Sequence, residues 1–194
     1  LLEGKHLLQL YKQKFSNSHF RVIIVSDNTA FDFLRQYRDE LFPGVPVVFC
    51  GINGYEDSMI EGLKGFTGIA EDNDFLGFFT IITKLHPNLQ RLVIYGTPGD
   101  SSYIANVNHI QKLLRDFQPT YQIEFREFPS LDACIEDGKR LPPYSAILMV
   151  GSMHTAQGES INLQRANEIM SESLEIPIYT AWDFAVSHGA IGGL

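Results

Sequence analysis

The chain has 194 residues, 44% of them apolar and 12% aromatic, with a formal net charge of -8 and a pI near 5.2. That composition builds a globular core and excludes a disordered chain. The acidic balance removes the attraction to a phosphate backbone on which nucleic-acid binding depends, and no apolar run approaches the roughly 20 residues that cross a bilayer. The opening LLEGKHLLQLYKQKF carries charges at short intervals and no apolar h-region, so it is no signal peptide. It does not start on Met and reads as part of a longer chain, so it assigns no compartment. The two cysteines, Cys50 and Cys134, read as buried small hydrophobes rather than a disulfide.

In chain order, Leu7, Leu8, Tyr11 and Phe15 recur at helical spacing, so residues 5–15 enter as a helix. Val22 to Val25 is an unbroken β-branched run, the pattern of a strand covered on both faces. Asp27 or Asn28 caps a helix whose Ala30, Phe33, Leu34, Tyr37 and Leu41 share an apolar face, and Pro43-Gly44 ends it. A second buried strand follows at Val45 to Cys50, completing a right-handed βαβ unit. The Gly- and acid-rich stretch after Gly54 is a loop, and Thr67 to Glu71 is a short extended piece.

The pattern then restarts. Asp72 or Asp74 caps a helix with Phe75, Phe78, Phe79, Ile82 and Leu85 on one face, stopped by His86-Pro87. A strand at Arg91 to Tyr95 leads through Gly96-Thr97-Pro98-Gly99 to a helix capped by Ser101 or Ser102, with Ile104, Val107, Leu114 and Phe117 inward. Tyr121 to Phe125 is a strand, Ser130 caps a shorter helix holding Leu131, Cys134 and Ile135, and Ala146 to Val150 is a central strand. Ile161 to Leu174 is a helix and Ile176 to Thr180 the last of four strands, after which a Gly-rich tail leaves the sheet. The expectation is two α/β units with parallel sheets flanked by helices: residues 1–72, residues 73–182, and residues 183–194 crossing back to the first. A cleft between two such lobes is a natural ligand site.

Sheets of this kind carry their functional groups just beyond the strand carboxyl ends. Those points hold Ser26, Asp27, Asn28 and Asn53, then Glu71 at the boundary, Thr97, Ser152, and finally Trp182 with Asp183. Trp182, the only tryptophan, can stack on a planar group, while Asp183 can accept hydrogen bonds or meet an ammonium. The plainer alternative is a tryptophan packed under the tail, with Asp183 capping a turn. Thr97 lies where a helix amino end can hold phosphate, but neither G-x-G-x-x-G nor Walker spacing is present, so a structural turn is preferred. The motif Gly151-Ser152-Met153-His154 lacks the second glycine of a nucleophile elbow. The six histidines show no metal-ligand spacing. No metal and no cofactor are expected.

The wording of the run VIIVSDNTAFDFLRQYRDELFPGVPVVFCGING adds a resemblance. With Phe66 to Glu71, Leu85-His86-Pro87, Ile176 to Tyr179, Trp182-Asp183 and Gly189 to Gly193, it resembles the ABC-transporter substrate-binding family of type 1 periplasmic-binding fold. The branch it looks most like serves as extracytoplasmic sensor domain of bacterial histidine kinases and diguanylate cyclases. The resemblance implies a two-lobed fold whose first lobe is incomplete here, since family members carry further chain at both ends. It also implies capture of a small molecule between the lobes, signalled by closure or an altered dimer contact, with membrane attachment only through segments outside this chain. The acidic Asp27, Glu71 and Asp183 favour an amino acid or amine. A soluble receptor of an ABC uptake transporter is the alternative on the same fold. A small α/β hydrolase-like enzyme, with Ser152 or Cys50 as nucleophile, is the alternative on chemistry.

Overall fold

The chain enters on α1 (Leu2–Lys14) and turns into β1 (Ile23–Ser26), as the spacing of its apolar residues predicts. The computed structural model describes residues 2–193 and separates them into two units, divided between Asp72 and Asn73. In the first unit β1 is followed by α2 (Asn28–Leu41), β2 (Val47–Asn53), a 3-10 turn (Asp57–Ile60) and β3 (Phe66–Glu71). The three strands form a parallel sheet in the order β1-β2-β3, with Ile23 opposite Val47 and Val47 opposite Phe66. Its core gathers Val25, Phe31, Leu34, Val47, Phe49, Ile52 and Phe66 on the α2 side.

Two expectations are corrected here. The buried face of α2 is Asn28, Phe31, Leu34 and Arg38, turned away from the expected stripe. Phe33 and Tyr37 instead lie toward α1, where Phe33 meets Tyr11 edge-on at 5.7 Å. Arg38 can face inward because its fork ends on backbone: Nη1 donates to Val45 O at 3.2 Å and Nη2 to Lys64 O at 2.6 Å, with the guanidinium over the Phe66 ring. The second correction concerns the sheet. Burial alternates along β1 and β2, leaving Ile24 74% exposed and Val22, Val48 and, on β3, Ile69 exposed as well. The β-branched run is therefore covered on one face only, and Cys50 shares the open face rather than the core.

The second unit runs α3 (Phe75–Leu85), β4 (Arg91–Gly96), α4 (Ser101–Leu113), β5 (Gln122–Glu127), α5 (Leu131–Gly138) and β6 (Ser145–Met149). A short antiparallel hairpin follows, β7 (Met153–His154) with β8 (Ser160–Ile161), then α6 (Leu163–Ser173), β9 (Ile178–Thr180), a 3-10 turn (Asp183–His188) and β10 (Gly192–Gly193). The large sheet is parallel in the order β10-β9-β6-β4-β5. Counted within the unit this is 2-1-3-4-5, a doubly wound sheet whose strand order reverses between β4 and β6.

Alternation divides its strands between two cores. Leu92, Ile94, Ala146, Leu148 and Tyr179 meet Phe75, Phe78, Phe79, Ile82, Tyr103 and Ile110 of α3 and α4. Val93, Tyr95, Ile147, Met149 and Ile178 meet Leu131, Cys134, Ile135, Ala166 and Met170 of α5 and α6. Each such fully buried aliphatic or aromatic side chain contributes about 1.5–3 kcal/mol relative to exposure. The tail thus departs from expectation. Residues 183–193 stay with the second unit, and Gly192-Gly193 adds a fifth strand beside β9 rather than crossing back to the first. Two glycines carry no strand preference, and a Cβ at Gly192 would stand only 3.3 Å from the Tyr179 ring. The helix expected from Ile161 begins at Leu163, because Ile161 belongs to the hairpin.

Candidate functional site

Each unit presents its candidate residues at the carboxyl ends of its strands. In the first unit, β1 ends at Ser26 and passes through Asp27, which holds φ at 72° and caps α2 by accepting from Asn28 N at 2.6 Å. A non-glycine residue in that region is strained, and such strain gathers at functional turns. Ser26 and Asp27 are exposed. A Cβ added to Gly51 would lie 3.9 Å from both Asp27 N and Glu71 Oε2, so the ends of the three strands converge there. Asn28 and Asn53 behave differently. Both are buried; Asn28 Nδ2 donates to Asn53 O at 2.9 Å and Asn53 N donates to Asn28 Oδ1 at 2.9 Å. The pair fastens the start of α2 to the end of β2, so these amides serve the frame on which Asp27 sits.

In the second unit the reversal point between β4 and β6 is tied together by Asp100. Its Oδ1 accepts from Tyr103 N at 2.8 Å, capping α4, and its Oδ2 accepts from Ser152 N at 2.9 Å and from the Ser152 hydroxyl. Thr97 is buried and donates its hydroxyl to Ser152 O at 2.7 Å. Thr97 and Ser152, expected separately, therefore share one joint whose centre is Asp100. The cap of α4 is thus Asp100 rather than the expected Ser101 or Ser102; its signal in the sequence is an aspartate directly before a helical run, among the strongest N-cap choices. The joint closes because β4 ends in glycine: a Cβ at Gly96 would fall 2.0 Å from the Tyr103 ring. Burial, with Glu127 nearby, pushes the Tyr103 phenol up to about 12, so it stays neutral.

Beyond β9, Trp182 is half-buried against the core of α3 and α4, and its ring stacks on the exposed Phe184 at 6.4 Å with 27° between planes. Asp183 is exposed at the start of the 3-10 turn. Within the second unit the structure thus gathers Thr97, Asp100 and Ser152 into one cluster and places Trp182 and Asp183 on the neighbouring strand end; within the first unit Ser26, Asp27 and Glu71 share the rim of the small sheet.

Two hollows lie mostly away from these strand ends. An apolar groove of about 1550 Å³ runs between α1, β1 and α2, reaching Ser26 and Asp27 only at one end. A second, of about 760 Å³, sits at the amino ends of β4, β6 and β9, opposite the rim. Among the described residues no group of three or more His, Cys, Asp or Glu converges as a metal site, and no helix is long and apolar enough to cross a membrane.

No family model matches the chain, and no curated protein matches it. Solved structures do. An ABC domain in complex with L-Trp from Streptococcus pneumoniae aligns with a TM-score of 0.66 at 15% identity, over 98% of this chain and 63% of its own. A conserved domain protein from Vibrio cholerae aligns with a TM-score of 0.66 at 14% identity, over 96% of this chain and 61% of its own. The present chain therefore spans less than two thirds of each neighbour. The likeness establishes a periplasmic-binding-like α/β fold with parallel sheets flanked by helices.

Proposed function

We propose that this chain is a small-molecule-binding module that takes its ligand at the carboxyl ends of its strands. The observation that carries the proposal is the second unit's rim. A doubly wound sheet binds beside its reversal point, and there the Asp100 joint fixes the strand ends next to a stacked Trp182–Phe184 pair and an exposed Asp183. Aromatic faces suit a planar or apolar group, and carboxylates suit an ammonium. The ligand class is accordingly an amino acid or amine, which is in keeping with a structural neighbour that holds L-Trp.

The finer reading is an extracytoplasmic sensor domain of a membrane-bound bacterial signalling protein, a histidine kinase or diguanylate cyclase. Ligand would drive the signal only by binding one state of the protein more tightly than another; converting a mostly inactive population to a mostly active one takes roughly 5 kcal/mol of differential affinity. A soluble receptor for ABC uptake uses the same chemistry and is separated by the partner module it serves. Hydrolysis is not favoured, because the Ser152 hydroxyl donates to Asp100, a carboxylate already engaged by two backbone N–H groups.

A thermal-shift screen of amino acids, amines, sugars and nucleosides tests the proposal. At a hundredfold excess over Kd a true ligand stabilises by about 2.7 kcal/mol. Trp182→Ala and Asp183→Ala should each reduce that shift, and undiminished shifts in both variants remove the rim from the site.

A further inference from the structure

Trp182 and Asp183 open an excursion that leaves the sheet after β9 and rejoins it at β10. Backbone bonds hold both ends: Ala181 N donates to Met149 O at 3.1 Å, and Ile191 N to Ile178 O at 2.8 Å. Between them the 3-10 turn rests on α6 through side chains. His188 Nδ1 lies 2.7 Å from Glu168 Oε1, and Arg165 Nη1 lies 3.0 Å from the other oxygen of the same carboxylate. Gly189 follows in the left-handed region at φ 93°, pressed so closely that a Cβ would stand 2.1 Å from Ser171 Oγ and 3.1 Å from Asn167 O. Ala185, inside the turn, is fully buried.

The His188 and Glu168 side chains are 38% and 36% exposed. Pairs that wet add little to global stability. The consequence of this one is local, because it fixes the far end of a single 3-10 turn whose near end carries Trp182.

We propose that Glu168 and His188 form a latch that positions Trp182 and Asp183 from α6. They are positioning residues, each acting through the turn. The relevance to binding rests on the reading that Trp182 and Asp183 meet a ligand, but the position of Trp182 can be read without one. As the only tryptophan, it is the sole indole reporter in the chain.

The test uses the full chain and three variants: Glu168→Ala, His188→Ala and His188→Asn. The asparagine places an amide donor close to the position of Nδ1. Glu168→Ala, which removes the acceptor, and His188→Ala, which removes the donor, should move Trp182 emission to longer wavelength and raise its quenching by acrylamide, while the thermal midpoint stays within about 4 °C of the parent. His188→Asn should restore the parent emission. Unchanged emission and quenching in Glu168→Ala and His188→Ala overturn the latch, as does a change that appears only in step with loss of far-UV dichroism. Should His188→Ala fail to fold, Glu168→Ala decides alone by the same criteria. A moved emission combined with ligand shifts indifferent to Trp182→Ala leaves the latch standing and removes the binding reading instead.

Discussion

At the scale of single residues, the two thiols of this chain occupy opposite environments. Cys134 lies wholly inside the second unit against Met153 Sδ at 3.8 Å, and burial, with Asp137 nearby, pushes its thiol up to about 12. The sign follows from burial disfavouring the charged form: the thiol stays protonated through neutral and mildly alkaline pH, and the thiolate is the reactive species. Cys50 is exposed on the open face of the small sheet. At pH 8 the native protein should therefore react with one equivalent of a thiol reagent, the second appearing only on unfolding. Cys50→Ser should abolish the native reaction and Cys134→Ser should not. Two native equivalents would show that the α5–α6 core opens on the timescale of labelling. In the sequence the two cysteines look alike, because each follows an apolar pattern; only the missing cover over one face of β2 separates them.

At the scale of elements, the helices were legible because their apolar residues recur over many turns, as in Phe75, Phe78, Phe79 and Ile82 of α3. Short strands lack that repetition, so the two-residue β7, β8 and β10 left no signal in the sequence. The rotated face of α2 was hidden for a different reason: Arg38 is buried by backbone partners that no local pattern records. Asp100 joins these cases, since its cap was readable and its tie to Ser152, across 52 positions, was not. Two substitutions separate its roles. Asp100→Ala removes the cap and the partner of Ser152 N–H and should cost about 2–3 kcal/mol in urea unfolding. Asp100→Asn can still cap α4 through its carbonyl, but its amide then faces the Ser152 N–H donor. If the joint matters beyond the cap, Asn should cost nearly as much as Ala; a neutral Asn variant would reduce Asp100 to a helix cap.

At the scale of the molecule, the two units are unequal in the way that decides autonomous folding. The second carries a five-stranded sheet covered on both faces, with one core under α3 and α4 and another under α5 and α6. The first carries three strands, a single core cluster on the α2 side and an open face displaying Ile24, Val48 and Ile69. Small domains bury a smaller fraction of their surface and sit closer to the folding threshold. Residues 73–194 should therefore fold cooperatively when expressed alone, with a single urea transition and dispersed amide resonances. Residues 1–72 alone should show partial helicity, bind a hydrophobic dye and lack a sharp transition, because the apolar area left open offsets much of what the α2 core contributes. A cooperative transition from the short fragment, or a molten second unit, would mean that the two cores do not determine stability in the way their burial indicates.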